Sequence, residues 1–292
     1  MDAPLELVCD ATAELGEGPI WDWRDGCLWW VDILGRTLHR FDPDRGTDSR
    51  HDVGRMIGTV VVRGSGGVVI AAADGFRGFD PRTGAFEALG DPEADIPGNR
   101  FNDGKCDPRG RFWAGTMSIR EEPGRGSLYT LEPTIGIRRR LSGISVSNGV
   151  AWTADASTMY FIDSPTRRID AFDYDAASGA ITNRRCVVEV PADLGFPDGM
   201  AIDAAGMLWV GMWGGWQVAG FDPRSGRMCG RLRLPVKNVT ACAFGGGDLR
   251  DLYVTTARMG LTADELRAQP LAGGLFRGRV DTPGVRATMY AG

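Results

Sequence analysis

The chain has 292 residues, of which 43 % are hydrophobic and 24 % charged, and its formal net charge is −5 at pH 7. A chain of this length forms one large all-β domain or two ordinary domains. The negative charge argues against a nucleic-acid partner, because phosphates attract basic surfaces, and no apolar run is long enough to span a membrane.

The N-terminal residues MDAPLELVCD have neither the basic nor the apolar region of a secretory signal peptide. The six cysteines are scattered along the chain, and none has the C-x-x-C spacing that is typical of metal or redox sites. We therefore expect a cytoplasmic protein whose cysteines are reduced thiols.

Six short apolar segments recur along the chain, each after a turn rich in Asp or Gly. Strands are predicted over Leu28–Asp32, Val68–Ala72, Phe112–Thr116, Met159–Asp163, Leu208–Met212 and Leu252–Thr256. Their first residues are 40, 44, 47, 49 and 44 residues apart. This period is typical of a β-propeller, in which each repeat forms one four-stranded blade.

A second repeated feature is a Phe-Asp pair that is soon followed by Gly, which predicts a strand running into a hairpin turn. The pairs are Phe41-Asp42, Phe79-Asp80, Phe172-Asp173 and Phe221-Asp222. One blade cannot bury both of its faces, whereas six blades in a ring shield one another. We therefore predict an all-β fold in which residues 1–292 form a single six-bladed β-propeller, with four-stranded blades around a central channel. Paired sheets or a β-sandwich are the alternative.

Only Leu261–Gln269 has the signature of a helix, with Thr262 as N-cap and Glu265 three residues later. The two histidines, His39 and His51, fall in the outer hairpin of blade one, where we expect ordinary surface or turn residues. Without a nearby His and without a G-x-S-x-G motif, neither a Ser-His-Asp triad nor a His-ligated zinc site is supported.

The segment before each apolar strand is predicted to be the inner strand of its blade, which lines the channel. In five of these segments the residue before a small Gly or Ala is polar, and these residues are Glu17, Asp103, Asn148, Asp198 and Thr240. Radial symmetry would bring them to one mouth of the channel. Singly, Asp-Gly and Asn-Gly pairs are also common in turns.

Carboxylates crowded into a channel repel one another and lose hydration, and a divalent cation offsets both effects. Oxygen ligands from carboxylates and an amide suit Ca²⁺, Mg²⁺ or Mn²⁺, while Zn²⁺ and Fe²⁺ also remain open. The turn Trp213-Gly-Gly-Trp216 follows the strand of blade five, and both tryptophans are candidates for a pocket wall.

Several segments resemble, in the same order, those of the gluconolactonase family that includes regucalcin and the luciferin-regenerating enzymes. They are LGEGPIW at 15–21, RFNDGKCDPRGRFWAGTM at 100–117, SNGVAW at 147–152, YFIDS at 160–164 and FPDGMAIDAAGMLWVGMWGG at 196–215. The resemblance implies a six-bladed propeller with one divalent metal on its axis. The family's metal ligands fall on Glu17, Asn148 and Asp198, and Asp103 is expected close to the metal or its waters.

The resemblance also implies substrate contacts from Arg100 and Asn102. In some members an acidic residue shortly after G-T-M holds the substrate; in this chain the acidic pair is displaced, and Glu121 is the candidate equivalent. We expect metal-dependent hydrolysis of a sugar-acid lactone in carbohydrate catabolism, by a monomer, with Asp198 as general base. The alternatives are a promiscuous metal-dependent esterase and a non-enzymatic calcium-binding propeller.

Overall fold

The computed structural model describes residues 5–292 and consists of six antiparallel four-stranded sheets arranged as blades around a central channel. The predicted six-bladed β-propeller is therefore confirmed. All six repeated apolar segments form the second strands of their blades. No helix among residues 5–292 is long and apolar enough to cross a membrane, and all six cysteines are free thiols.

Each blade has four strands, which follow one another from the channel outwards. The first strands are β2 (Gly16–Asp22), β6 (Ile57–Val62), β10 (Asn99–Cys106), β14 (Ser147–Trp152), β18 (Phe196–Ile202) and β22 (Val239–Gly245). The second strands are β3 (Cys27–Asp32), β7 (Val68–Ala72), β11 (Phe112–Ser118), β15 (Thr158–Asp163), β19 (Leu208–Trp213) and β23 (Asp251–Thr256).

The third strands are β4 (Thr37–Asp42), β8 (Gly75–Asp80), β12 (Gly126–Glu132), β16 (Arg168–Asp175), β20 (Gln217–Asp222) and β24 (Leu275–Arg279). The outermost strands are β5 (Thr47–Asp52), β9 (Ala85–Gly90), β13 (Gly136–Ile144), β17 (Ala180–Glu189), β21 (Arg227–Arg233) and, for blade six, β1 (Glu6–Cys9). Short 3₁₀ turns cover Ser164–Thr166 and Ala192–Leu194.

The ring is closed by the N-terminal strand β1, which pairs with β24 and completes blade six. In this pairing Glu6 lies opposite Arg277, and their side chains form a 2.5 Å ion pair. Blade six is therefore built from both ends of the described chain. This closure removes the free strand edges that an open arrangement of blades would leave.

Buried hydrophobic side chains form six clusters, and each cluster fills the interface between two neighbouring blades. Blades six and one, for example, meet through Trp21 and Tyr253, whose rings stack with centroids 5.7 Å apart. Burying an aromatic side chain of this kind contributes roughly 1.5–3 kcal/mol. Because every blade packs on two neighbours, the first strands are held in fixed positions around the channel.

The turn between first and second strands is fixed by a buried Asp in two blades. Asp107 and Asp203 each accept a 2.9 Å hydrogen bond from the indole N–H of a tryptophan six residues later, Trp113 or Trp209. Each Asp also accepts backbone N–H groups from the intervening turn. These carboxylates therefore have structural partners and are satisfied where they lie.

The helix α1 (Ala263–Ala268) confirms the predicted capping box, since Thr262 and Glu265 bond each other's backbone N–H groups. The prediction of a surface or turn position for His39 is wrong. His39 is buried in β4, stacks on Trp30 at 3.8 Å, and bonds Asp48 Oδ2 through Nδ1 at 2.7 Å. The third strand of a blade is covered by its neighbours, so its side chains enter the interface.

Candidate active site

Each first strand breaks its register with the second strand near the same point. In five blades, two residues of the first strand stand opposite one residue of the second, which is a β-bulge. Four of the predicted polar residues lie in the bulges, and Glu17 directly precedes one. The polar residues that recur at the same point of each repeat therefore lie at or beside the same distortion of the backbone. Bulges re-aim side chains, and these turn toward one mouth of the channel.

Blade two has no polar side chain at this point because the position is Gly58. A Cβ there would lie only 2.4 Å from the backbone oxygen of Asn102 and 2.5 Å from the carbonyl carbon of Phe101. The glycine thus allows blade three to approach the channel closely at the residues that carry the site. Its role is steric, and it supplies space for the neighbouring bulge.

A cavity of about 340 Å³ opens at this mouth of the channel. Its walls include five of the predicted site residues, which are Glu17, Arg100, Asn102, Glu121 and Asp198. Asp103 and Asn148 are buried directly behind this wall, each with 4 % of its surface exposed. The structure thus brings all seven predicted site residues to one region.

Thr240 belongs to the same ring of positions but does not line the cavity. Its hydroxyl donates a 2.6 Å hydrogen bond to the carbonyl of Gly16 and lies 2.9 Å from the hydroxyl of Thr255. The first of these bonds joins blade six to blade one. Thr240 therefore helps to hold blades six and one together where the ring closes.

Glu17 and Asp198 are both buried side chains in the cavity wall, and the charge of Glu17 acts on the carboxyl group of Asp198. Burial, followed by the charge of Asp103, raises the pKa of Glu17 to about 8. Burial, followed by the charges of Glu17 and Asp103, raises the pKa of Asp198 well above its ordinary value. In the absence of a cation, the pair therefore holds a proton near neutral pH.

The third carboxylate, Asp103, is only half satisfied. Its Oδ1 accepts a 2.7 Å hydrogen bond from the N–H of Gly104, but its buried Oδ2 has no hydrogen-bond partner among the described residues. A buried oxygen without a partner is unfavourable by about 1–3 kcal/mol. This oxygen is free to accept a bond from water or a ligand beside the cluster.

A chain of hydrogen bonds orients the amide of Asn148. Arg100 Nη1 donates to Asn102 Oδ1 at 2.6 Å, and Asn102 Nδ2 donates to Asn148 Oδ1 at 2.9 Å. Asn148 Nδ2 donates in turn to Ser164 Oγ at 2.7 Å, and this hydroxyl donates to the carbonyl of Pro197 at 2.6 Å. The carbonyl oxygen of Asn148 is thus held toward Asn102, which lines the cavity.

Arg100 is buried, and burial lowers the pKa of its guanidinium to about 10, an effect that the charges of Glu17, Glu121 and Asp198 oppose. It remains a cation at neutral pH. The cavity therefore combines two neighbouring carboxyl groups with a fixed guanidinium. Such a combination can bind a polar substrate and move a proton in the same space.

The donor set suits a divalent cation of the hard or borderline type. Glu17, Asp198 and the Oδ1 of Asn148 are oxygen donors, and the crowded carboxyl pair together with the unpartnered oxygen of Asp103 would be relieved by a positive charge. No group of three His, Cys, Asp or Glu side chains within residues 5–292 is arranged to enclose a metal. A site at this cluster would therefore need an amide or carbonyl oxygen as well, and the amide of Asn148 is the candidate.

Several wall residues were not predicted from the sequence. The unpredicted residues are Leu15, Met117, Val146, Ser164, Pro165, Phe196 and Met259. Trp213 does line the cavity, as expected, whereas Trp216 does not and points elsewhere with 40 % of its surface exposed. Met117, Ser164 and Trp213 lie at or just after the ends of second strands. In an antiparallel blade these ends share a mouth with the starts of the first strands, a signal that could have found them.

Residues 15–258 match the family model described as the SMP-30/Gluconolactonase/LRE-like region. The chain is 40 % identical over 292 residues to a Bacillus subtilis (strain 168) protein provisionally named sugar lactone lactonase YvrE, with 100 % of this chain and 99 % of that protein covered. It is 38 % identical over 294 residues to regucalcin of Xenopus laevis, with 99 % and 98 % covered. Among solved structures, it is similar to a calcium-binding protein, regucalcin, from Agrobacterium tumefaciens str. C58, with a TM-score of 0.95, 31 % identity, and 99 % and 98 % covered.

Proposed function

The chain belongs to the SMP-30/gluconolactonase/LRE-like family, and from this premise we propose that it hydrolyses the lactone of a sugar acid with one bound divalent cation. The observation that carries the proposal is the pair of buried carboxyl groups of Glu17 and Asp198 in the cavity wall, with the hydrogen-bonded amide of Asn148 buried behind them. The name of the Bacillus subtilis relative supports the reaction, and the name of the Agrobacterium relative supports a cation.

Hydrolysis adds water across the ester bond of the lactone. An oxygen–carbon bond forms at the carbonyl, the bond to the ring oxygen breaks, and a free acid and a hydroxyl result. Glu17, Asn148 and Asp198 would hold the cation, which supplies a Lewis acid for the lactone carbonyl and stabilises the negative charge that develops there. Asp103 would stay close by and accept hydrogen bonds from water through its free Oδ2.

Asp198 is the proposed general base, which takes a proton from the attacking water and returns it to the leaving ring oxygen. Its raised pKa favours this role because a carboxylate whose pKa is nearer neutrality is a stronger base. Contact with a cation lowers that pKa again and keeps the group ionised. A cation at this site would therefore favour the ionised form, in which Asp198 can accept the proton.

Arg100 and Asn102 are the proposed substrate-orienting groups. Both line the cavity, and Arg100 is held in place by its bonds to Asn102 and to the carbonyl of Phe101. Donors fixed in this way position the lactone relative to the attacking water, which lowers the entropic part of the barrier. Glu121, an exposed residue at the rim, is a further candidate for contact with substrate hydroxyls.

The promiscuous esterase is a second candidate, and the apolar part of the wall favours it. Met117, Phe196, Trp213 and Met259 offer surface that suits the apolar body of an aryl ester as well as one face of a sugar ring. The test compares kcat/KM for pentono- and hexonolactones, an aryl acetate and a phosphotriester, with the same cation-loaded protein. A sugar lactonase is expected to favour one of the lactones; a preference for the esters would support the second candidate, and no turnover would support a binding protein.

A further inference from the structure

Lys105 reaches across the central channel. It lies in β10 of blade three, two residues after Asp103, and its Nζ donates a hydrogen bond to the backbone carbonyl of Met200 in blade five. Blades three and five are not neighbours, since the first strand of blade four stands between theirs. The side chain therefore crosses part of the channel, past the first strand of blade four, and joins two blades that are not adjacent.

This position carries a charge in no other blade. Lys105 lies opposite Trp113, and the residues at the same place in the pairing of the other blades are Ile20, Val61, Ala151, Ala201 and Ala243. Only two of the 33 basic residues are lysines, and the other one, Lys237, is on the outer surface, where it pairs with Glu265 at 2.9 Å. Of the two lysines, Lys105 is thus the one whose flexible side chain places its ammonium group inside the ring.

Lys105 lies on the side of the carboxyl groups away from the candidate active site. It is not in the wall of the 340 Å³ cavity but in that of a second cavity, of about 260 Å³, at the opposite mouth of the channel. Its charge acts on Asp103, where it opposes the larger effect of burial in raising the pKa of that carboxyl. The ammonium thus acts on Asp103, the deepest carboxyl group of the cluster, from the side of the channel opposite the candidate active site.

The charges within the channel can be compared directly. Three carboxyl groups, those of Glu17, Asp103 and Asp198, face two fixed cations, Arg100 and Lys105. When all three carboxyl groups are ionised, the total charge of these five side chains is negative, and one divalent cation makes it positive. A second cation would then meet strong repulsion in a site with little solvent. Without Lys105, the three carboxyl groups would be opposed by Arg100 alone.

We infer that Lys105 is a built-in counter-ion that closes the channel beneath the carboxyl cluster, weakens its affinity for cations and limits it to one divalent cation. The inference depends on the proposed function only in that the site binds a cation. Lys105 is not in the wall of the 340 Å³ cavity and would not contact the proposed substrate. It would act on the cation site only through its charge, and is therefore a positioning residue.

The test is calorimetric titration of EDTA-treated protein with Ca²⁺, using the wild type, Lys105→Met, Lys105→Arg and, as the matched surface control, Lys237→Met. Removal of one positive charge near the site is expected to tighten Ca²⁺ binding by about 10-fold or more. Lys105→Arg retains the charge and is expected to bind as the wild type does, as is Lys237→Met. Thermal unfolding establishes that each variant is folded, and Lys105→Gln replaces Lys105→Met if the latter does not fold.

A second readout needs no neutral variant. With isotopically labelled lysine, the two lysine side chains give separate NMR signals, and Lys105→Arg identifies which belongs to Lys105. Ca²⁺ is expected to shift the Lys105 signal and leave that of Lys237 in place.

Equal or weaker Ca²⁺ affinity in the neutral variant, or a Lys105 signal that does not respond, would overturn this role while leaving the proposed function intact. If the wild type does not bind Ca²⁺, the same titrations are made with Mn²⁺ and Zn²⁺, and a wild type that binds none of the three would overturn both.

Discussion

Asn102 donates a 2.9 Å hydrogen bond from its side-chain amide to the Oδ1 of Asn148, and this contact joins the proposed substrate-binding wall to the proposed metal ligands. The two residues come from neighbouring blades, three and four. Because Asn148 gives its own N–H group to Ser164, its amide cannot reverse without losing bonds at both ends. The orientation of one ligand is therefore set by residues that need not touch the cation.

The first prediction concerns the hydrogen bond from the side-chain amide of Asn148 to Ser164. Ser164→Ala removes the acceptor of the Asn148 amide and leaves a buried N–H unpaired, which costs about 1–3 kcal/mol. The amide is then freer to turn, so we expect cation affinity to fall by about tenfold in addition to this loss of stability. Titration with Ca²⁺ measures this. Ser157→Ala, at an exposed serine in the turn before β15, is the matched control and is expected to bind as the wild type does.

The second prediction concerns pH. The pKa of Glu17 is about 8 in the folded protein and 4.5 in its ordinary state. A raised carboxyl pKa means that the folded state holds the proton more tightly. The contribution of Glu17 to stability is thus fully present below about pH 4.5 and is lost as the pH rises through about 8.

The measurement is urea unfolding in EDTA at about pH 5.5 and at about pH 8.5. The free energy of unfolding of the metal-free protein is expected to be lower at the higher pH, and added Ca²⁺ is expected to restore it. Glu17→Gln is expected to reduce both the pH effect and the response to Ca²⁺. A profile that is the same in wild type and Glu17→Gln would contradict the assignment.

The third prediction concerns the spacing between blades. A Cβ on Gly199 would lie 2.4 Å from the Cβ of Ala241 in the first strand of blade six. Gly199→Ala is therefore expected to force these strands apart, to destabilise the fold by about 1–3 kcal/mol and to displace the adjacent Asp198. Gly247→Ala, where nothing lies within 4 Å of the added carbon, is the control. Equal melting temperatures for the two variants would contradict the packing described for the first strands.

The fourth prediction concerns Arg100. Arg100→Lys keeps a positive charge but loses the planar guanidinium, whose Nη1 donates to both Asn102 and the carbonyl of Phe101. If this group binds substrate and transition state equally, the change raises KM and leaves kcat nearly constant. Steady-state kinetics on the preferred lactone separates the two constants. A fall in kcat alone would assign Arg100 to the transition state instead.

Periodicity in the sequence was enough to predict the six blades, because the repeated second strands are buried on both sides and read as continuous apolar runs. It also predicted that Glu17, Asp103, Asn148 and Asp198 would lie close together, because residues at the same point of each repeat lie at the same depth in the channel. Their roles as ligands and base stay predictions.

Features that depend on contacts between distant segments were not predicted. The pairing of β1 with β24 joins both ends of the described chain, the amide of Asn148 donates to Ser164 beyond the next strand, and His39 is buried by stacking on Trp30 of the neighbouring strand. A local pattern carries no information on which partner a side chain meets. The bulges could not be predicted from the alternation of inward and outward side chains along a strand, because each bulge inserts one residue that interrupts this alternation.

The most direct test of the proposed reaction is acid release from a panel of sugar lactones by EDTA-treated protein, with and without added Ca²⁺, Mn²⁺ or Zn²⁺, for the wild type and Asp198→Asn. We expect a cation to restore hydrolysis to the wild type, and Asp198→Asn, although folded, to remain inactive at every cation concentration. Hydrolysis that survives both chelation and Asp198→Asn, or a folded wild type that hydrolyses no lactone with any cation, would contradict the proposed reaction.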